Sequence, residues 1–111
     1  MSPRPASLSR VFIPYGAYWS SPFTRWQGSL SNAHSLRLAA EVGREVLAAK
    51  KIAPSMLDGL ILGTTLPQRN AFYGAPWVAA MLGAASISGA TVAQACATSA
   101  RVLASAATEI E

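Results

Sequence analysis

Charge is scarce in this chain. Of its 111 residues only 13% are Asp, Glu, Lys or Arg, against about a quarter in an ordinary soluble domain. So little charge implies that much of the surface is covered by further chain or by another subunit, and the chain is expected to be incomplete. Cysteine is nearly absent: Cys96 is the only one, which excludes an internal disulfide and any cysteine-rich zinc site. Histidine also occurs once, as His34. The opening "MSPRPASLSRVFIPYG" lacks the long apolar stretch of a secretory signal. No uninterrupted apolar run approaches the roughly 18 residues of a membrane span. A cytoplasmic protein without a membrane span is the expectation.

What is present is apolar bulk. Hydrophobic residues make up 51% of the chain, much of it alanine, enough for one domain with a modest core. The formal charge is +4, but the basic residues Arg4, Arg10, Arg25, Arg37, Arg44, Lys50, Lys51, Arg69 and Arg101 are scattered. Nucleic-acid binding calls for clustered bases with interleaved aromatics, so no nucleic-acid partner is expected. Lys50 and Lys51 suit the last turn of a helix, where cations complement the dipole. A basic balance also fits an anionic substrate such as a phosphorylated cofactor.

The pattern along the chain alternates between strand and helix. Residues 1–9 are rich in Pro and Ser and are expected to fray, leaving 10–111 as the structured part. "RVFIPYG" reads as a first strand ended by Pro14 and Gly16. "AYWSSPFTRWQGSLSN" has aromatics without a period and reads as an ordered loop, with Trp19, Phe23 and Trp26 packed beneath it. From Ser31 onward, Leu36, Ala39, Ala40, Gly43, Val46 and Leu47 recur at helical spacing. Ser31, Asn32 or Ser35 would cap that helix, and Pro54 marks its end. "LDGLILGT" is a compact apolar run that fits a central parallel strand. "RNAFYGAPWVAAMLG" predicts a second helix ending at Gly83, with Pro76 in its first turns or at a kink. "ISGATVAQA" predicts a third strand. "CATSARVLASAATEIE" predicts a closing helix with Ala100, Leu103, Ala104, Ala107 and Ile110 on one stripe. The order β-α-β-α-β-α implies an α/β fold with a parallel sheet, and a chain stopping on a helix leaves a possible open sheet edge.

Within that layout the single thiol occupies a distinctive place. Cys96 is expected at the C-terminal end of a parallel strand and in the first turn of the next helix. Ligands bind at that end of open α/β sheets. A helix N-terminus carries unpaired N–H groups and partial positive charge, an environment that favours thiolate, the reactive species. The same N–H groups, including that of Cys96, can donate to a carbonyl oxygen that becomes negative as the sulfur attacks. Position alone leaves a second reading open: free cysteine is among the most buried residue types and often only packs. His34, near the start of the first helix, is expected to be a polar first-turn residue rather than a base for Cys96.

The stretch "TVAQACATSARVLASAATEIE" resembles the segment around the acylated cysteine of the thiolases, the acetyl-CoA acetyltransferases and 3-ketoacyl-CoA thiolases. There a strand of the type T-V-N-x-x-C runs into C-[AS]-[ST]-G-x-x-A and a helix ending near E-I-x-x-G. Upstream, "SPFTRWQGSL" is similar to T-P-F-x-x-x-x-G-S-L and "LDGLILGTTLPQ" to V-D-x-V-I-x-G. "RNAFYGAPWVAAMLG" is similar to the following arginine-asparagine helix. Four motifs in order cover residues 11–111. Two positions depart: Ser99 stands where glycine is frequent, and Gln94 replaces the asparagine usual two or three residues before the cysteine.

The resemblance implies a thiolase-like fold, of which residues 10–111 are a partial N-terminal domain, most of the first of two duplicated β-α-β-α-β-α halves. It implies an acyltransferase that forms and cleaves 3-ketoacyl-CoA, with Cys96 as the acyl-thioester nucleophile. It implies coenzyme A thioesters as substrates, no bound cofactor and no metal, and a homodimer or homotetramer. The activating histidine and a second, acid/base cysteine would belong to the other half, so this chain by itself is expected to be inactive. Two alternatives stand beside this reading. One is a condensing enzyme of the ketoacyl-synthase type; the other is a non-catalytic thiolase-like scaffold or lipid-transfer partner.

Overall fold

The computed structural model describes residues 10–66, 68–70 and 73–110. The expectation of a frayed 1–9 falls outside them, as does Glu111. Five regular elements follow in the order α1 (Ser35–Ala49), β1 (Leu62–Gly63), α2 (Gly74–Leu82), β2 (Thr91–Val92) and α3 (Thr98–Ile110). Short 3-10 turns at Pro54–Met56 and Ala95–Ala97 precede β1 and α3. Among the described residues no helix is long and apolar enough to cross a membrane.

The two strands pair in parallel, Leu62 opposite Thr91 and Gly63 opposite Val92. Their ladder reaches past the strands proper. The amides of Leu60, Leu62 and Thr64 donate to the carbonyls of Ser88, Ala90 and Val92 at 3.2, 2.9 and 3.0 Å. Side chains of a strand alternate between faces. Leu60 and Leu62 turn to the core formed by Leu36, Leu47, Val78 and Leu82 of α1 and α2. Gly63 turns the other way, toward α3: a Cβ there would meet Val102 Cγ2 at 2.7 Å and Thr98 Cγ2 at 2.8 Å. The sheet is thus sandwiched, with α1 and α2 on one face and α3 on the other.

The helices form and stop for local reasons. In α1, Leu36, Ala40, Gly43 and Leu47 line the buried face, and Gly43 lets α2 approach so closely that a Cβ would stand 2.9 Å from Leu82 Cδ2. Both helices end in a Schellman arrangement. After α1, the amides of Lys51 and Ile52 return to Ala48 and Leu47, with Lys51 in the left-handed region at φ 60°. After α2, Gly83 and Ala84 return to Ala80 and Ala79, with Gly83 at φ 94°. Pro76 sits in the first turn of α2, where its missing N–H has no helical partner to lose.

Several expectations are corrected. "RVFIPYG" forms no strand: residues 11–14 have no regular structure, and Phe12, Ile13 and Tyr15 are exposed. An apolar run becomes a strand only beside a ladder partner, and among the described residues this one has none. The observed order is therefore α-β-α-β-α. The aromatics of the following loop do not pack beneath it; Phe23 is 96% and Trp26 87% exposed. The cap of α1 is His34, in place of Ser31, Asn32 or Ser35. Lys50 and Lys51 lie just past the last turn. The second helix begins at Gly74, and Arg69 and Asn70 form a turn before it. The stripe Ala100, Leu103, Ala104 and Ile110 is exposed, with Ala107 half-buried, while Thr98 is buried and Val102, Ser105 and Ala106 are half-buried.

Candidate active site

Beyond Val92 the chain leaves the C-terminal end of β2 and turns sharply into α3. Gln94 has already left the extended region, at φ −137° and ψ 42°. Ala95 then enters the left-handed region at φ 48°, which for a residue with a Cβ costs about 1–2 kcal/mol. Such strain persists only where the surroundings hold it in place. Here the holder is Thr98, whose hydroxyl accepts from the Gln94 amide at 2.9 Å and donates to the Ala95 carbonyl at 2.8 Å. A further bond from the Ala97 amide to the Gln94 carbonyl, at 2.9 Å, closes the turn. Thr98 is 6% exposed, pressed against Gly63, so the clasp is anchored to the sheet.

Cys96 rides on this turn. It is a free thiol and exposed, directly before α3 at the C-terminal end of a parallel strand. The arrangement of strand, left-handed residue and helix is the kind that lifts a nucleophile clear of its own backbone. A thiol in that place is accessible to an electrophile, while the first amide of α3, that of Thr98, donates to the Ala95 carbonyl. Within this chain Cys96 is exposed and is not packed into the core.

His34 is engaged elsewhere. Its Nδ1 accepts from the Leu36 amide at 3.3 Å, and its Nε2 lies 2.6 Å from the Arg69 carbonyl oxygen. The ring stands edge-on to Trp77 at 5.2 Å between centroids, and Arg37 lies 5.7 Å from the Trp77 centroid. Among the described residues no group of three or more His, Cys, Asp or Glu could hold a metal ion. The sequence pattern did not single out Thr98 and Ala95, the two residues that shape the turn. A hydroxyl two positions after the thiol, at the first turn of a helix, was the available signal.

A family model described as "Thiolase, N-terminal domain" matches residues 17–111. No curated protein and no solved structure matches the chain significantly.

Proposed function

The chain belongs to the thiolase family, whose N-terminal domain it carries, and from that premise we propose that Cys96 is the nucleophile of an acyl-CoA acyltransferase. At the level of the family the chemistry is acyl transfer. The finer reading is that the full-length protein forms and cleaves 3-ketoacyl-CoA through an acyl-cysteine intermediate. The observation that carries it is the exposed thiol on the strained turn before α3.

In the cleavage direction the Cys96 thiolate attacks the 3-keto carbon of the substrate. The bond between the second and third carbons breaks, its electron pair leaves with acetyl-CoA, and that carbon takes up a proton. The acyl group stays on sulfur as a thioester. The thiol of a second coenzyme A then attacks the thioester carbon, gives up its proton to a base, and expels the Cys96 thiolate. Condensation runs the same steps backward with acetyl-CoA as acceptor. This is two-step covalent catalysis of ping-pong order. The backbone N–H of Cys96 would help to hold the oxyanion formed in each attack; the Ala97 and Thr98 amides that follow are given to the Gln94 and Ala95 carbonyls.

This chain supplies the nucleophile. The histidine that takes its proton and the acid/base cysteine are assigned to a second, duplicated half, and the active unit to a homodimer or homotetramer of the full protein. The 111-residue chain by itself is expected not to cleave acetoacetyl-CoA. The test is an acyl-enzyme trap: full-length protein incubated with radiolabelled acetyl-CoA should retain label on Cys96. Iodoacetamide pretreatment should abolish both label and turnover. Full activity in a Cys96→Ser variant would sink the assignment. A protein that never takes label would instead be a thiolase-like scaffold or lipid-transfer partner.

A further inference from the structure

Gly63 closes β1 opposite Val92, four residues before Cys96. Its backbone is ordinary: of the described glycines only Gly16 and Gly83 have positive φ. Alanine would follow the same path, so what the position excludes is a side chain. A Cβ there would stand 2.7 Å from Val102 Cγ2 and 2.8 Å from Thr98 Cγ2, both well inside the 3.5–4.0 Å or so of a carbon–carbon contact.

The two sides of the clash with Thr98 are both held. Behind the strand, Leu62 packs against the core, and Gly74 lies so near that a Cβ would stand 2.7 Å from Leu62 Cδ2. The next amide, that of Thr64, donates to the Val92 carbonyl at 3.0 Å. On the helix side, Thr98 Oγ1 accepts from the Gln94 amide and donates to the Ala95 carbonyl. Hydroxyl and methyl turn together about one χ1 torsion, so swinging the methyl clear would take the hydroxyl from both partners. Val102 is apolar and has no such bond to lose; it can yield by a change of rotamer.

We propose that Gly63 is a positioning residue for the nucleophile. Its missing side chain lets Thr98 rest its methyl on the sheet while its hydroxyl closes the turn on which Cys96 stands. Gly63 acts through Thr98 and touches no reacting atom. Its consequence for turnover rests on the acyl-transfer reading; its consequence for the reactivity of the thiol does not.

The test is a cycle of variants of the full-length protein, made in a Val102→Ala background so that the added Cβ meets the Thr98 methyl alone. Thr98→Ser removes that methyl and keeps the hydroxyl. With Thr98 intact, Gly63→Ala should lower kcat by up to about a hundredfold with little change in KM. It should also change the rate at which iodoacetamide modifies Cys96, followed on the Cys96 peptide by mass spectrometry. With Thr98→Ser present, Gly63→Ala should alter either rate by no more than about twofold. A structural clash alone would lower the melting temperature and leave kcat and alkylation unchanged, which overturns the proposal. Equal effects with and without the Thr98 methyl overturn it too. Should Gly63→Ala with Thr98 intact fail to fold, the variant carrying all three changes decides: alkylation at the rate of its Gly63 counterpart supports the proposal and a displaced rate overturns it. A parent that never takes acyl label would sink the acyl-transfer reading, and the alkylation rates would still decide the role of Gly63.

Discussion

The two faces of the sheet are built differently. On one face, α1 and α2 bury Leu36, Leu47, Val78 and Leu82 with Leu60 and Leu62 of the strands against them, and two glycines bring the elements to close contact. On the other, α3 buries Thr98 alone. It meets the sheet at Gly63 and then draws away, leaving a cleft of about 840 Å³ lined by residues such as Ile61, Ala90, Ser105 and Ala106. The first face holds the fold together and the second carries the thiol. The buried core and the exposed thiol are thus placed in separate layers. A strained turn can be kept on the loosely covered side because the tightly packed side supplies the folding free energy.

Substitutions probe that division directly. Leu82→Ala, in the close-packed layer, should lower unfolding free energy by about 2–5 kcal/mol, read by urea denaturation. Leu103→Ala on α3, a residue 58% exposed, should stay within about 0.5 kcal/mol. Equal losses would erase the contrast between the faces. Thr98→Val keeps the shape of the one buried α3 side chain but deprives the Gln94 amide of its acceptor. That change should cost about 1–3 kcal/mol and alter the rate at which iodoacetamide modifies Cys96; an unchanged rate would mean the clasp does not shape the thiol's turn. Ala95→Gly removes the left-handed strain but loosens the unfolded chain, so the two effects largely offset. A net gain of about 0.5 kcal/mol or so in thermal unfolding is expected, and a loss would show that Ala95 is not strained.

The elements differ in how openly the chain announces them. In α1 the buried face is written at spacings of three and four, and most of it, from Leu36 to Leu47, is buried as that period requires. The apolar run around Leu60 to Gly63 announced a central parallel strand; it pairs in parallel and is covered on both faces, but among the described residues β2 is its one strand neighbour. In α3, alanine occurs on every side of the helix, so periodicity does not single out one face. The stripe through Leu103 and Ile110 was the more apolar choice, yet the sheet took Thr98 and Val102. The reason lies in Gly63, whose missing side chain leaves room for them. "RVFIPYG" has the composition of a strand, but composition provides no ladder.

The candidate site divides along the same line. A lone thiol between a β-branched run and an alanine-rich one, with family motifs ranged upstream, made Cys96 legible from sequence as a candidate. Its exposure, the left-handed Ala95 and the Thr98 clasp were not, because each depends on where a backbone turns and what lies opposite it. The same holds for His34: as a letter it is a polar residue near a helix start, and only the fold brings the Arg69 carbonyl within 2.6 Å of its second nitrogen. Local chemistry along the chain determined which segments coil and where the sulfur falls among them. Contacts between segments far apart in sequence, unavailable to any local pattern, decided which faces are covered and how that sulfur is presented.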